Sequence, residues 1–517
     1  MLRRLIALIS LASLALTACA PAAPQTPSGA PGQPGTQAPK DFKLRIGLAA
    51  QTATMDPHAS IGNNMRRYGL FEALVGYDES SRFIPSLASE WKNVDPTTWQ
   101  FKLVQGRKFH DGTAITAEDV KWNVERAIDP ALKLGVTTRV LNLTGATIVD
   151  PQTVNVTTKA PDPVALHAVA AIAILPKAYF EKIGAADFGL KPIGSGPFML
   201  KEFVANDRIT MVPNPTHPKP ALASEMTIRM LPEASSRVSG LRGGELDIVN
   251  GISLDQVEQL KNAGFQVANN LQGSDIGAFI YPNLEGQPTQ NKLVRQAMNY
   301  AIDKDVIAKQ VFRGLTKPAQ GQVLQQTSFG FNPNLKPYPY DPAKAKQLLA
   351  QAGYSNGFTV KISLPTFVLE GEATFLVVQQ QFREVGITME IVRYSDSAQF
   401  LDRWYGRAPR DQLLAVSLRN GPTLDGATAL VWFRGTQPAP VGFYNNPAFD
   451  EALKASDIEM DPTRRAQHLQ RALAAMHEDP PYLFLVEGLD SWMASPNITN
   501  VIPRADGDPA MEIIRPK

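Results

Sequence analysis

The 517-residue chain has a single cysteine, Cys19. One thiol excludes an internal disulfide and the multi-cysteine clusters that hold zinc or iron–sulfur groups. Charge of one sign is also missing: 51 Lys and Arg stand against 49 Asp and Glu, a net charge of +2. With no basic run interleaved with aromatics, a nucleic-acid partner is not expected. Long apolar runs are absent too, since Leu5 to Leu16 and Leu166 to Leu175 fall well short of the roughly 20 residues of a spanning helix. Catalytic signatures are equally scarce. Ser195 has Ile193 and Pro197 where a hydrolase elbow needs glycines, no HExxH occurs, and calcium-loop and phosphate-loop sequences are missing. Histidines 58, 110, 167, 217, 468 and 477 are scattered singly, so no metal site and no cofactor is expected.

What is present begins at the N-terminus. MLRRLIALISLASLALTACAP places Arg3 and Arg4 before a short apolar run and small residues before Cys19, the pattern of an export signal over 1–18. Leu16-Thr17-Ala18-Cys19 resembles the lipobox of bacterial lipoproteins, in which the cysteine becomes the lipidated first residue. Residues 19–41 are Pro, Gly and small polar residues with too little apolar surface to fold, and read as a tether. The expectation is an exported body, held at a membrane by a lipid anchor and starting near Phe42. About 475 remaining residues exceed a single core of roughly 250 to 300, so at least two lobes are expected.

Along that body, Leu44–Leu48 reads as a strand running into a loop, with a short helix over Met65–Leu74. Strand-like alternation follows at Trp99, Phe101 and Leu103 and at Val154 and Val156. VRQAMNYAIDKDVIAKQVFRG predicts a helix ending at Gly314, and DPAKAKQLLAQAGY a second, capped by Asp341 with Pro342 in its first turn. FTVKISLP, EATFLVVQQQFREVG and ITMEIVRYS then give strand, helix, strand, which implies a parallel sheet in a second α/β lobe.

GRKFHDGTAITAEDVKWNVERAIDP, residues 106–130, groups His110 and Asp111 beside a helix start. Thr116 and Asp119 suit a reciprocal cap, and Val120, Val124, Ala127 and Ile128 form one apolar face. No nucleophile or second histidine stands at a useful spacing, so the stretch reads as architecture.

This segment resembles the extracytoplasmic solute-binding proteins of family 5, the peptide and nickel type that serve ABC importers. The similarity continues in order through KPIGSGPFMLKEF, LRGGELDIV, VRQAMNYAIDKDVIAKQVFRGLTKPAQG, YDPAKAKQLLAQAGYSNGF and FYNNPAFDEAL, covering nearly all of the mature chain. The resemblance implies a mixed α/β, two-lobed periplasmic-binding-protein fold of the large type II variety. Lobe I would take 42–74, 208–282 and 483–517, its extra subdomain 75–207, and lobe II 283–482. It further implies a monomeric, non-enzymatic binding component that closes on a small solute, peptide or peptide-like, and delivers it to a membrane permease driven by a cytoplasmic ATPase. A sugar or opine-like solute, or presentation of solute to a sensor, is the alternative.

Peptide-binding members of that family place a basic residue near the helix EATFLVVQQQFREVG and an aspartate in a W-x-x-D segment. Here the first region reads Leu369-Glu370-Gly371-Glu372, and the second Arg419-Asn420 running on to Asp425, without the tryptophan. Glu372 facing the cleft would repel a free carboxylate, which argues against an unmodified dipeptide. The candidate solute contacts are therefore Glu370, Glu372, Arg419, Asn420 and Asp425, with the aromatics Trp404, Tyr405 and Trp432 and a third group, Ser60, Asn63 and Asn64, after the first strand. His58 alone makes no nickel site.

Overall fold

Leu44, Ile46 and Leu48 point into the core from β1 (Lys43–Leu48), the period-2 pattern of a half-buried strand. In the computed structural model, which describes residues 41–517 except 60–67, 79–81, 271–273, 367, 369, 420–423, 436–441 and 505–507, β1 lies at the centre of a seven-stranded sheet. It pairs in parallel with Glu225–Met230 on one side and Ile248–Asn250 on the other. Gln266–Asn270 and Asp490–Ala494 complete one edge, Arg208–Pro213 and Phe198–Val204 the other. No helix covers Tyr68–Leu74, which runs as turn and extended chain.

A four-stranded antiparallel sheet over Ala88–Asp95, Thr98–Leu103, Thr153–Thr158 and Leu143–Asp150 forms a separate layer. Helix α1 (Ala117–Ile128) packs on it through Val120, Val124 and Ala127. The cap expected at its start is present: the Thr116 hydroxyl accepts from Asp119 N at 3.3 Å, and Asp119 Oδ2 accepts from Thr116 N at 2.9 Å.

The third sheet has five strands in the order β4-β3-β5-β2-β6: β2 (Ser274–Ile280), β3 (Phe358–Pro365), β4 (Ile387–Tyr394), β5 (Leu413–Arg419) and β6 (Tyr482–Glu487). β3 runs parallel to β4 and β5, while β2 is antiparallel to both β5 and β6. Ile276, Ala278 and Ile280 face one hydrophobic core, Phe279 and Tyr281 another, so both faces of this sheet are covered, as in doubly wound α/β layers.

Sheet membership shifts the expected segment limits. Ser274–Ile280 and Tyr482–Glu487 were assigned by sequence, wholly or nearly so, to lobe I, yet both hydrogen-bond in the five-stranded sheet. Phe198–Val204, expected in the extra subdomain, pairs with Arg208–Pro213 in the first sheet. Strand propensity marks a strand but not its partner, because pairing is fixed by contacts remote in sequence. Among the described strands the chain thus changes sheet twice, between Gln266–Asn270 and Ser274–Ile280 and between Tyr482–Glu487 and Asp490–Ala494. The helix predicted to Gly314 also breaks: Lys292–Tyr300 ends, and Asp303 caps a new turn by accepting from Val306 N.

Candidate functional site

The quoted stretch around His110 is settled by its hydrogen bonds. His110 Nδ1 accepts from Gly194 N at 3.1 Å, which puts the proton on Nε2, 3.2 Å from Gly196 O. Burial lowers its pKa to about 4, so the ring is neutral and fully engaged. Gly194 and Gly196 admit the approach because a Cβ at either would lie 2.0 Å from Leu70 O or 2.2 Å from Gly69 O. His110 holds a turn against its neighbours and has no ring nitrogen left for chemistry.

Parallel strands gather the other candidates. In open α/β sheets ligands lie beyond the carboxyl ends of the strands. Glu370 and Glu372 follow β3, Trp404 and Tyr405 follow β4, and Arg419 closes β5 with Asp425 six residues on. Ser60, Asn63, Asn64 and Asn420 lie outside the described residues, and the Arg419 side chain is likewise not described; the first three follow β1 in sequence. Two of these loops carry left-handed residues other than glycine, Glu370 at φ 50° and Leu424 at φ 46°. Such backbone costs of order 1–3 kcal/mol and gathers at functional loops.

Helix α2 (Gly371–Glu384) starts directly after Glu370. Glu372 in its first turn is held by Arg393, with Nη2–Oε1 at 2.5 Å and Nε–Oε2 at 3.0 Å. Its charge is therefore already matched by a cation from β4, which weakens the repulsion expected for a solute carboxylate. Trp404 ends α3 (Ser397–Trp404) and meets Trp432 edge-on at 5.6 Å and Phe279 at 5.8 Å. Its indole nitrogen is buried without a partner. Tyr405 carries the Arg407 guanidinium over its ring at 5.0 Å.

Asp425 caps α4 (Gly426–Leu430) and is engaged by Arg465 of α5 (Pro462–Glu478) in a buried bidentate pair, at 2.6 and 2.8 Å. Arg465 also donates to Ser456 O at 3.1 Å and stands over Phe329 at 5.1 Å. This pair lines a cavity of about 410 Å³, within the range of small-solute pockets. Phe83, which packs against the core of the four-stranded layer and contacts the His167 ring, lines it together with His167, Phe329, Leu424 and Met460. His167 accepts or donates at the Tyr77 hydroxyl, 2.8 Å away, and burial lowers its pKa to about 4. Sequence reading missed Phe83, His167, Phe329 and Arg465, because no local pattern announces a wall assembled from segments hundreds of residues apart.

Two sheets joined by two crossings, with candidate polar residues and aromatics collected at strand carboxyl ends, define a two-lobed binding protein. Comparison with known proteins places it further. Residues 82–439 match the family model of bacterial extracellular solute-binding proteins, family 5 Middle, and the chain belongs to that family. It is a component of transport, not an enzyme. The glutathione-binding protein GsiB of Escherichia coli O157:H7 is 28% identical over 464 residues, covering 87% of this chain and 89% of that protein. In fold it resembles NikA from Brucella suis in complex with Fe(III)-EDTA, with a TM-score of 0.82 at 23% identity over 92% of this chain and all (100%) of that one. It also resembles DppA from Helicobacter pylori in complex with the peptide STSA, TM-score 0.73, 23% identity, over 92% and 99% of the two chains.

Proposed function

We propose that this chain is the substrate-binding component of an ABC importer that captures a small peptide-like solute and passes it to a membrane permease. The observation that carries the reading is the double crossing between a seven-stranded and a five-stranded sheet, with the candidate residues at the strand ends beside it. A hinge of two strands lets one lobe rotate on the other, and solute favours the closed form only through its extra affinity for that form. Lobe I then comprises the seven-stranded sheet with the four-stranded layer as its subdomain, and lobe II the five-stranded sheet. A lipid on Cys19 and the tether over 19–41 keep this body near the permease.

The glutathione and tetrapeptide bound by the two relatives named for them support a peptide-like solute here. Pairing of Glu372 with Arg393 supports it as well, since a solute carboxylate does not meet a lone negative charge. A thermal-shift screen of the exported body against glutathione, short peptides, opines, oligosaccharides and nickel–histidine tests the reading. Stabilisation by peptides or glutathione is expected. Stabilisation by sugars or metal chelates alone refutes the solute class, and conversion of a bound solute to product refutes the binding role.

A further inference from the structure

A short hairpin brings two rings together beside the cavity. Val75–Tyr77 pairs antiparallel with Phe83–Pro85, Tyr77 opposite Phe83, and the two rings stand 5.1 Å apart. Asp78 fastens the end of the hairpin, its Oδ1 accepting from Arg82 N at 2.9 Å and its Oδ2 from Arg82 Nε at 2.7 Å. The helix Ala165–Ala171 lays the half-buried His167 on this pair, stacked on Tyr77 at 5.9 Å and tilted to Phe83 at 4.7 Å. The Tyr77 hydroxyl engages Nδ1 of that ring, 2.8 Å away. Among the described residues nothing hydrogen-bonds its Nε2.

That ring belongs to the lining of the 410 Å³ cavity. Phe83 packs with the core of the four-stranded layer and Phe329 with a core of the five-stranded sheet, so the lining draws on two cores. Leu424 and Met460 add an aliphatic chain and a polarizable thioether. The charged side chains among the described lining are already paired, Arg82 with Asp78 and Asp425 with Arg465. Desolvation lowers the pKa of His167 to about 4, so its ring adds no charge near neutral pH. A charged group entering here sheds its water and meets no free counter-charge, whereas an aromatic ring meets other rings at edge and face.

We infer that this cavity receives an aromatic side chain of the solute, a phenol-type ring with one polar atom, and that His167 Nε2 is the hydrogen-bond partner of that atom. The inference rests on the proposed binding function and deepens it, narrowing peptide-like solutes to those with an uncharged aromatic side chain. The Asp425–Arg465 pair is then a matched part of the wall and not the partner of a solute charge. A ring seated here touches residues of both cores, as a solute that draws two lobes together must.

Isothermal titration calorimetry of the exported chain tests this with tripeptides that differ only in the central side chain: tyrosine, phenylalanine, alanine, lysine or glutamate. Wild type is expected to bind the phenylalanine peptide roughly ten- to hundredfold more tightly than the alanine peptide, and the tyrosine peptide about three- to tenfold more tightly again. The lysine and glutamate peptides should bind no better than the alanine peptide. His167→Phe keeps a ring and removes Nε2; it should abolish the advantage of tyrosine over phenylalanine and keep that of phenylalanine over alanine. Met460→Trp fills the cavity, and should bring the aromatic peptides down to the alanine peptide while binding the latter as wild type does. Melting curves without solute that match wild type separate lost recognition from lost folding. Wild-type affinity that does not rise with the aromatic side chain overturns the inference and leaves the binding reading intact, whether or not the variants fold; so does a tyrosine advantage that survives His167→Phe. Binding of none of the tripeptides overturns both.

Discussion

His58 is buried and His110 and His167 are half-buried, and desolvation first of all draws each pKa from 6.5 to about 4; at His58 the neighbouring Arg126 guanidinium adds to the effect. Between those values the unfolded chain takes up protons that the native chain refuses, so native stability is full above pH 6.5 and falls as pH drops toward 4. Asp275 has the opposite sign. Its native carboxyl keeps a proton that the unfolded chain loses near 3.8, so its contribution declines as pH rises above that value. Thermal melts across pH 4 to 7 should show wild type weakening on acidification below 6.5, and Asp275→Asn gaining most over wild type at pH 7. A flat wild-type profile would mean that the histidines are not held neutral. The Asp425–Arg465 pair yields a third expectation at this scale. Arg465→Met strands a buried carboxylate and should cost about 3–5 kcal/mol in chemical denaturation, whereas removing both charges together should cost less.

At the scale of elements, what the sequence made legible was what neighbouring residues decide. The caps at Thr116 and Asp341, with Pro342 in the first turn, appear where expected because a side chain three residues away satisfies the free N–H groups. The helix predicted to Gly314 broke at Ile302-Asp303, since Asp303 offers the backbone a new start and buried Lys304 turns its ammonium onto the carbonyls of Asn299, Ile302 and Tyr338. Asp119 shows how an element reaches beyond itself: its Oδ2 closes the cap while Oδ1 accepts from Lys177 N at 3.0 Å. Thr116→Ala removes the two bonds of its hydroxyl to Asp119 and should cost about 1 kcal/mol. Asp119→Ala also frees the start of the Lys177–Leu190 helix, so its loss in denaturant titrations should be clearly larger. Equal losses would show that the Lys177 contact carries no weight.

For the whole molecule, composition and motif order were enough to indicate two lobes, but not which strand joins which sheet. Ser274–Ile280 reads as a strand in either lobe, and only its long-range register against Leu413–Arg419 decides. The candidate site was legible to the same depth. Glu370, Glu372 and Asp425 are singled out by the family resemblance, whereas the pairing of Glu372 with Arg393 and of Asp425 with Arg465 was not legible, since those partners lie on other elements.

Separate cores on the two sheets and on the four-stranded layer also bear on how the body unfolds. Lobes tied by two crossings need not melt together, and without solute the calorimetric enthalpy should exceed the van't Hoff value. A solute gripped by both lobes couples them, because either lobe's unfolding then forfeits the binding energy. At a hundredfold excess over Kd that energy is about 2.7 kcal/mol, and the melting temperature should rise by several degrees. Scanning calorimetry should then show the two enthalpies converging as solute is added, in step with a smaller radius of gyration by small-angle scattering. A solute that raises the transition of one lobe and leaves the other where it was would show that it binds on a single lobe, with no closure to signal a permease.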